Sequence, residues 1–568
     1  MGGDKKEILT QLSKALAGIQ DERIREVLLA VLNVIEQDAE TIRQLREENQ
    51  RLRDEVSRLK GEQGKPKIRP EKPKDESQES TGSQKENRDI SSEKERRKDK
   101  GRSGSSRKRK KKNRINIDHT EIRKVDKTLL PPDAEFKGYA ESTVQDLIIK
   151  PDNVLFRKEI YYSPSEGKTY TAEVPVGYQG EYGPHIKTTA LILKNVCNMS
   201  EPKILELFHN CNIIISAGTV SNMLIKDKEA FHEEKQQLYR AGLGATEYQQ
   251  IDDTSARVNG QNYYMQVLGN PYYTAYFTAE RKDRLTVLQI LSNGEPDGGQ
   301  GLRYLINDEA FQLLQQMRIG KKITAGLREL KSDRQLSKEE IEELLSARLP
   351  LLNPIAKTRI LEATAIAWYH QAEGYPVIQT LLCDDAPQYK LLTEYLALCW
   401  VHDGRHYKKL SPVVPYNVRI LEEFIDRYWQ YYRKLLAYKE APSETLAASV
   451  SAEFDKLFST ETGYALLDER ISKTKAKKGN LLLVLKFPQI PLHNNDSELA
   501  ARQQTRRRDV SLHTMVPDGT KANDTFLSIV QTCKKLGINC YEYFLDRIQR
   551  TFAIPPLAVL IADSASPQ

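Results

Sequence analysis

Residues 247–279 hold the feature that limits the fold most. They form three short runs, EYQQIDDTSARV, QNYYMQVLG and YYTAYFTA, rich in aromatic and β-branched residues and separated by Asn259-Gly260 and by Gly269-Asn270-Pro271. Asn-Gly between alternating runs is a strong hairpin signal, because a two-residue turn of matching twist needs positive φ at both positions. The stretch therefore predicts an antiparallel three-stranded meander. A helical pattern, RKDRLTVLQILSN, comes next. The apolar run VIQTLLCDD appears only after a mostly helical segment from about 300 to 370. Another helical stretch, from NVRILEEFIDRYWQYYRKLLAY to ALLDERISK, separates LALCWVH from PLHNNDSELAARQQTRRRDV.

A meander, a helix, a further strand and late helices are the order of a ribonuclease H-like α/β fold. We expect such a domain over residues 246–515, with helical insertions at about 297–372 and 412–480. This fold brings acids from separate chain segments to one edge of the sheet. Asp252 ends the first strand pattern, Asp384 ends the fourth, and Glu498 opens a late helix, 132 and 114 residues apart along the chain. Each alone reads as a turn residue or helix cap. Together they form an oxygen-donor set suited to two Mg²⁺ or Mn²⁺ ions, as used in phosphodiester chemistry. A competing reading is HDGRH, whose His402 and His406 stand four apart like a zinc hydrolase pair. That run contains Gly404, follows an apolar strand pattern and has no evident third ligand downstream, so CWVHDGRHY is expected to be the next strand and its exit.

Before the meander, residues 1–62 read as an N-terminal helix and coiled coil. Leu28, Ile35, Ile42, Asn49 and Val56 fall seven apart, with Val31, Leu45, Leu52 and Leu59 in the companion positions and Asp38 as a lapse. An Asn in an apolar seam fixes register and favours two strands, so Ile42, Leu45, Asn49, Leu52, Val56 and Leu59 are expected to dimerise. Residues 63–115 lack apolar periodicity and read as a disordered tether. Within it, residues 94–114 carry 13 Lys or Arg against two acids, which leaves the rest of the chain near −4 within a total of +7. Such a tract, including Arg107, Lys108, Arg109 and Lys110, suits salt-dependent binding to nucleic acid. Residues 116–245 are expected to be a helical DNA-binding region. Three patterns there fit a helix-turn-helix, with Ser200 and Ser216 as N-caps and Thr219, Ser221, Asn222 and Lys226 facing a DNA groove. Residues 516–568 should form a C-terminal helical region.

The six cysteines (197, 211, 383, 399, 533 and 540) form no C-x-x-C pair, so buried thiols are expected rather than a disulfide framework or zinc ribbon. No apolar run is long enough to span a membrane, and MGGDKKEILTQLSKALAG is too charged for a signal peptide. A cytoplasmic location is expected.

IDDTSARV, LLCDDAPQY with CWVHDGRHY, and IPLHNNDSELAARQQTRR resemble, in order and context, the three acidic motifs of transposases of insertion-sequence family sixty-six. LREENQRLRDEVSRLKGEQGKP is similar to the family's N-terminal zipper, and YGPHIKTTALIL to the opening of its DNA-binding helices. The resemblance implies a DDE triad at Asp252, Asp384 and Glu498, the Thr254 and Tyr389 spacings selecting these over Asp253 and Asp385. It also implies metal-dependent cleavage at element ends, strand transfer to target DNA and helper proteins from the same element. His402, Arg405, Arg502 and Arg506 would lie along the phosphate path. The chain departs from the pattern at His493, where the family has Asp, and at Leu499, where it has Arg. The family's Cys-rich module has no counterpart before Cys197, so no structural zinc is expected. The other readings are a non-catalytic, sequence-specific DNA-binding protein and a plain nuclease of the same fold.

Overall fold

The structure, a computed structural model, describes residues 2–19, 21–59, 116–126, 130–131, 134–294 and 301–566. The expected tether lies outside the described residues, and with it Arg107, Lys108, Arg109 and Lys110. A hairpin of β1 (Ile160–Ser163) and β2 (Lys168–Thr171) precedes the helix Pro184–Asn195. Residues 116–245 are thus not helical throughout: among the described residues the helices there run Pro184–Asn195, Glu201–Asn210, Ala217–Ile225 and Glu229–Gly244. Ser216 caps the third of these by accepting the Thr219 N–H at 3.2 Å, whereas Ser200 holds the N-cap position without a side-chain bond.

The meander follows as β3 (Tyr248–Val258), β4 (Gln261–Gly269) and β5 (Thr274–Ala279), paired antiparallel. Asn259 and Gly260 take φ of 46° and 76°, the positive pair that a tight turn between right-twisted strands requires. Between the helices Arg284–Asn293 and Asp308–Gln316 lies β6 (Tyr304–Ile306), which pairs antiparallel with β7 (Ser332–Leu336). The first insertion therefore carries a small sheet beside its helices, contrary to an all-helical reading. Isolated apolar triplets such as YLI are too short to separate strand from helix by period.

β8 (Thr380–Cys383) and β9 (Tyr395–Leu398) complete a five-stranded mixed sheet in the order β5-β4-β3-β8-β9, with β3, β8 and β9 parallel. CWVHDGRHY is not a strand with its exit: Trp400–Lys408 is a helix, begun directly after β9. The second insertion contains the helices Pro415–Glu440, Glu444–Leu457 and Ala465–Lys475. The helix Pro517–Leu536 covers the β5 edge. Its Asp524, Ser528 and Thr532 accept the N–H groups of Thr278, Tyr276 and Thr274 at 2.6, 3.0 and 3.2 Å. Four helical residues advance about 6 Å and two strand residues nearly 7 Å, so one helix can satisfy alternate amides along an edge. Residues 516–568 are thereby part of the sheet's packing.

The helix Glu22–Leu59 forms, but its first half docks on the same chain. Leu32 packs with Leu16 and Val414, with Leu28 and Ile35 against them. The buried Glu36 accepts N–H groups of Val413 and Val414 at 3.0 and 2.8 Å. That part of the seam is intramolecular, contrary to a zipper along its whole length. Beyond it Ile42, Leu45, Leu52 and Val56 stand 49–54% exposed, Asn49 is exposed as well, and the Leu59 side chain lies outside the described residues.

Candidate active site

Strand periodicity sets the direction of the acids. On β3, Ile251 joins the large core on one face, while Ala256 packs on the opposite face with Val267, Tyr276, Ala500 and Ala501. Asp252 shares the face of Ala256 because side chains alternate. The parallel register pairs Gln250 with Leu382. Two residues on, Asp252 stands level with Asp384, and the parity of Leu382 gives Asp384 the same face. The helix Asn495–Ser511, which carries Glu498, packs there through Ala500 and Ala501.

Four hydrogen bonds fix that helix and the segment leading into it. Asn494 donates its Nδ2–H to the Ile251 carbonyl at 2.6 Å, one residue from Asp252. Gln250 and Asp496 exchange hydrogen bonds of 3.2 and 3.3 Å. The Trp400 N–H reaches the Leu492 carbonyl at 3.0 Å, tying the His402 helix to the same segment.

Electrostatics report the convergence. Burial first, then the neighbouring Asp384 charge and further off that of Glu498, push the Asp252 carboxyl up to about 7. Burial also raises Asp384, opposed in part by His402. Cations ring the acids. Glu498, 7% exposed, pairs with Arg405 at 2.9 Å, His402 at 3.5 Å and Arg502 at 3.7 Å. Lys282 pairs with Asp253 at 2.9 Å, and Lys477 with Asp385 at 2.7 Å. A cleft of about 470 Å³ lined by Asp384, Asp385, His402, Arg405, His406 and Lys477 opens beside them.

The donor set fits hard divalent cations: carboxylate oxygens from three segments, one of them raised to about 7 by burial and then by the adjacent Asp384 charge. Among the described residues, Cys399, His402 and Glu498 also bring a sulfur, a nitrogen and an oxygen within 4.8 Å of one another. His406 is not in that group, so the spacing that suggested a zinc pair does not assemble. Burial pushes the Cys399 thiol up to about 11, and its sulfur accepts the Asn494 N–H at 3.3 Å.

Asp252, Asp384, Glu498, His402, Arg405 and Arg502 are thus assembled in one place. Thr219, Ser221, Asn222 and Lys226 sit apart, on or just beyond the helix Ala217–Ile225, with Asn222 and Lys226 exposed. Arg506 is exposed two turns along from Glu498. Lys282, Lys477 and Asn494 join the site without a sequence signal, since only tertiary packing brings them near. Cys383, Cys399 and Cys533 are buried, but Cys197 is exposed, against the expectation of buried thiols throughout.

Fold and site define a mixed α/β protein whose acidic centre is ringed by cations. The family model described as "Transposase IS66 family" matches residues 363–522, a span containing Asp384 and Glu498 but not Asp252. An uncharacterized protein, y4jO of Sinorhizobium fredii (strain NBRC 101917 / NGR234), is 34% identical over 329 residues, 58% of this chain and 100% of that protein. The chain belongs to the Transposase IS66 family. No helix among the described residues is long and apolar enough to cross a membrane.

Proposed function

We propose that the protein is a DDE transposase that cleaves DNA at the ends of its mobile element and joins the freed 3′ ends to target DNA. One observation carries the reading: Asp252, Asp384 and Glu498, from three distant segments, share one face of the sheet, and Asp252 feels the charge of the other two. The strand order β5-β4-β3-β8-β9, three antiparallel strands then two parallel ones, supports a ribonuclease H-like catalytic domain.

Asp252, Asp384 and Glu498 would hold two Mg²⁺ or Mn²⁺ ions. These supply Lewis-acid activation of the attacking water or 3′-hydroxyl and stabilisation of the leaving oxygen. The chain's own residues do the rest. Arg405, Arg502, Lys282 and Lys477 present positive charge where phosphates must approach, and His402 lies between Asp384 and Glu498. Were Glu498 to hold a metal, the paired Arg405 guanidinium would be placed to reach a phosphate oxygen instead. Thr219, Ser221, Asn222 and Lys226 read element ends as part of a helix-turn-helix. The exposed half of the helix Glu22–Leu59 pairs two copies as a coiled coil, so that two ends are held together. The protein works in the cytoplasm on nucleoid DNA, with helper proteins of the same element as possible partners and no structural zinc.

The test is incubation with a labelled duplex carrying the element's terminal repeat and Mg²⁺ or Mn²⁺. Strand cleavage and joining that disappear in Asp384→Asn are expected. Specific binding with no cleavage in either metal would overturn the enzyme reading in favour of a non-catalytic DNA-binding protein. That second reading draws on the ion pair that occupies Glu498. Cutting without joining would identify a plain nuclease.

A further inference from the structure

The run Arg506-Arg507-Arg508 divides three ways. Arg506 is exposed, and Arg508 donates to the Ser255 carbonyl at 2.6 Å. Arg507 points inward, 7% exposed, and its Nη1 is buried without a hydrogen-bond partner. No carboxylate among the described residues lies within ion-pair distance of it. The acid that acts on it most strongly, Asp524, already accepts the Thr278 N–H and hydroxyl at 2.6 and 2.8 Å.

Arg507 lines a cavity of about 280 Å³ between the reading helices and the sheet. Ser221 and Lys194 line it from one side, Arg257, Gln504 and Arg508 from the other. Glu201 is the sole carboxylate among the lining residues, and it faces Lys194 at 3.4 Å. The Gln504 Oε1 is also buried without a partner. Burial, and then the charge of Arg507, lower the Lys194 pKa; burial lowers that of Arg507 to about 10. A buried, unpaired guanidinium is costly, and an apolar residue of similar size would be more stable there. Its planar fork of donors matches a phosphate oxygen pair.

We propose that this cavity takes one phosphate group of a bound DNA strand, with Arg507 as its principal donor and Arg257 and Arg508 at the rim. The phosphate would couple the reading helices, through Ser221 and Lys194, to the helix that carries Glu498. That the phosphate belongs to DNA rests on the transposase reading; the preference for an oxyanion does not.

The test uses the full chain, with Arg507→Met and Arg507→Lys. Melting is followed in inorganic phosphate against chloride at matched ionic strength, and affinity for a random-sequence duplex is followed across salt concentrations. The Met variant is expected to melt at or above the wild-type temperature in chloride and to lose the rise in phosphate. Its log-affinity against log-salt slope should fall by about 1. The Lys variant, which keeps the charge but loses the fork, should need about tenfold more phosphate for the same rise and decides the matter if the Met variant does not fold. A Met variant that melts lower, with phosphate response and slope unchanged, would make Arg507 structural and overturn the proposal. A lost phosphate response with an unchanged slope would overturn the DNA source in favour of a free anion. Absence of duplex binding by the wild type would count against the transposase reading, while the phosphate arm would still test the cavity.

Discussion

Arg405 reaches across from the helix that follows β9 to the buried carboxylate of Glu498, 2.9 Å away. The same guanidinium donates to His402 Nε2 at 3.2 Å. Glu498 thus has a cation partner, whereas Asp252 has none within ion-pair distance among the described residues, and burial first, then the charge of Asp384, raises its pKa to about 7. Removing the cation should therefore matter most when no metal is bound. Arg405→Gln is expected to destabilise the metal-free protein by about 1–2 kcal/mol, discounted for the partial exposure of Arg405. Chemical denaturation with and without Mg²⁺ checks this: the loss should shrink when Mg²⁺ is present.

Asp384→Asn keeps the volume and removes the charge. Under the proposed mechanism, cleavage is expected to fall by more than about a hundredfold while the fold persists, because the substitution removes the charged oxygen that would hold a metal ion. Gel assays of end cleavage, with circular dichroism as the control for folding, separate the two effects.

The raised Asp252 pKa implies a pH dependence of stability. The folded carboxyl, at about 7, binds a proton more tightly than the unfolded one at 3.8. Stability in the absence of divalent ions should therefore be greatest below pH 4 as far as this group is concerned. It is lost progressively as pH rises through 7, by a few kcal/mol at most (~1.4 kcal/mol per pH unit). Asp252→Asn should flatten that decline, and melting curves from pH 5 to about 8 in chelator would show it. A steeper decline in the Asn variant would contradict the convergence of the acids.

Asp524 satisfies the Thr278 amide at the covered edge of β5. Asp524→Ala leaves a buried N–H without its acceptor, for an expected loss of about 1–3 kcal/mol in urea denaturation. Ser528→Ala, one turn on, should cost less, because the group it removes is neutral.

Glu36 caps the chain at Val413 and Val414 and accepts from Asn417 at 3.2 Å. Glu36→Ala is expected to release the N-terminal helix, seen as faster hydrogen exchange at residues 413–417 with the sheet's protection unchanged. Asn49→Ala should leave that docking intact and alter only self-association, measured by sedimentation.

Much of the scaffold was readable because it follows short-range rules. The meander, the Asn259-Gly260 turn and the Ser216 cap depend on φ preference and on periods of two and 3.6, which a few neighbouring residues express. Two of the three acids stand where the pattern put them, Asp384 directly after β8 and Glu498 in the first turn of a late helix, whereas Asp252 lies within β3, which runs on to Val258 rather than ending there. CWVHDGRHY misled because an apolar run of four or five residues fits strand and helix alike. The heptads of Glu22–Leu59 hid a change of partner midway, from the chain's own Val414 to the open stripe at Ile42, since an apolar stripe does not reveal what it covers.

By itself, then, the sequence determined the central meander, its Asn259-Gly260 turn and the kinds of chemistry on offer: three carboxylates, a basic tract and an apolar heptad stripe. Tertiary structure alone decided which charges meet. It set Asp252 level with Asp384, brought Arg405 to Glu498 and turned Arg507 inward while leaving Arg506 in solvent. The physical reason is range. Backbone preference and side-chain period act within a turn or a strand, whereas burial and pairing of charges depend on elements more than a hundred residues apart packing onto one sheet.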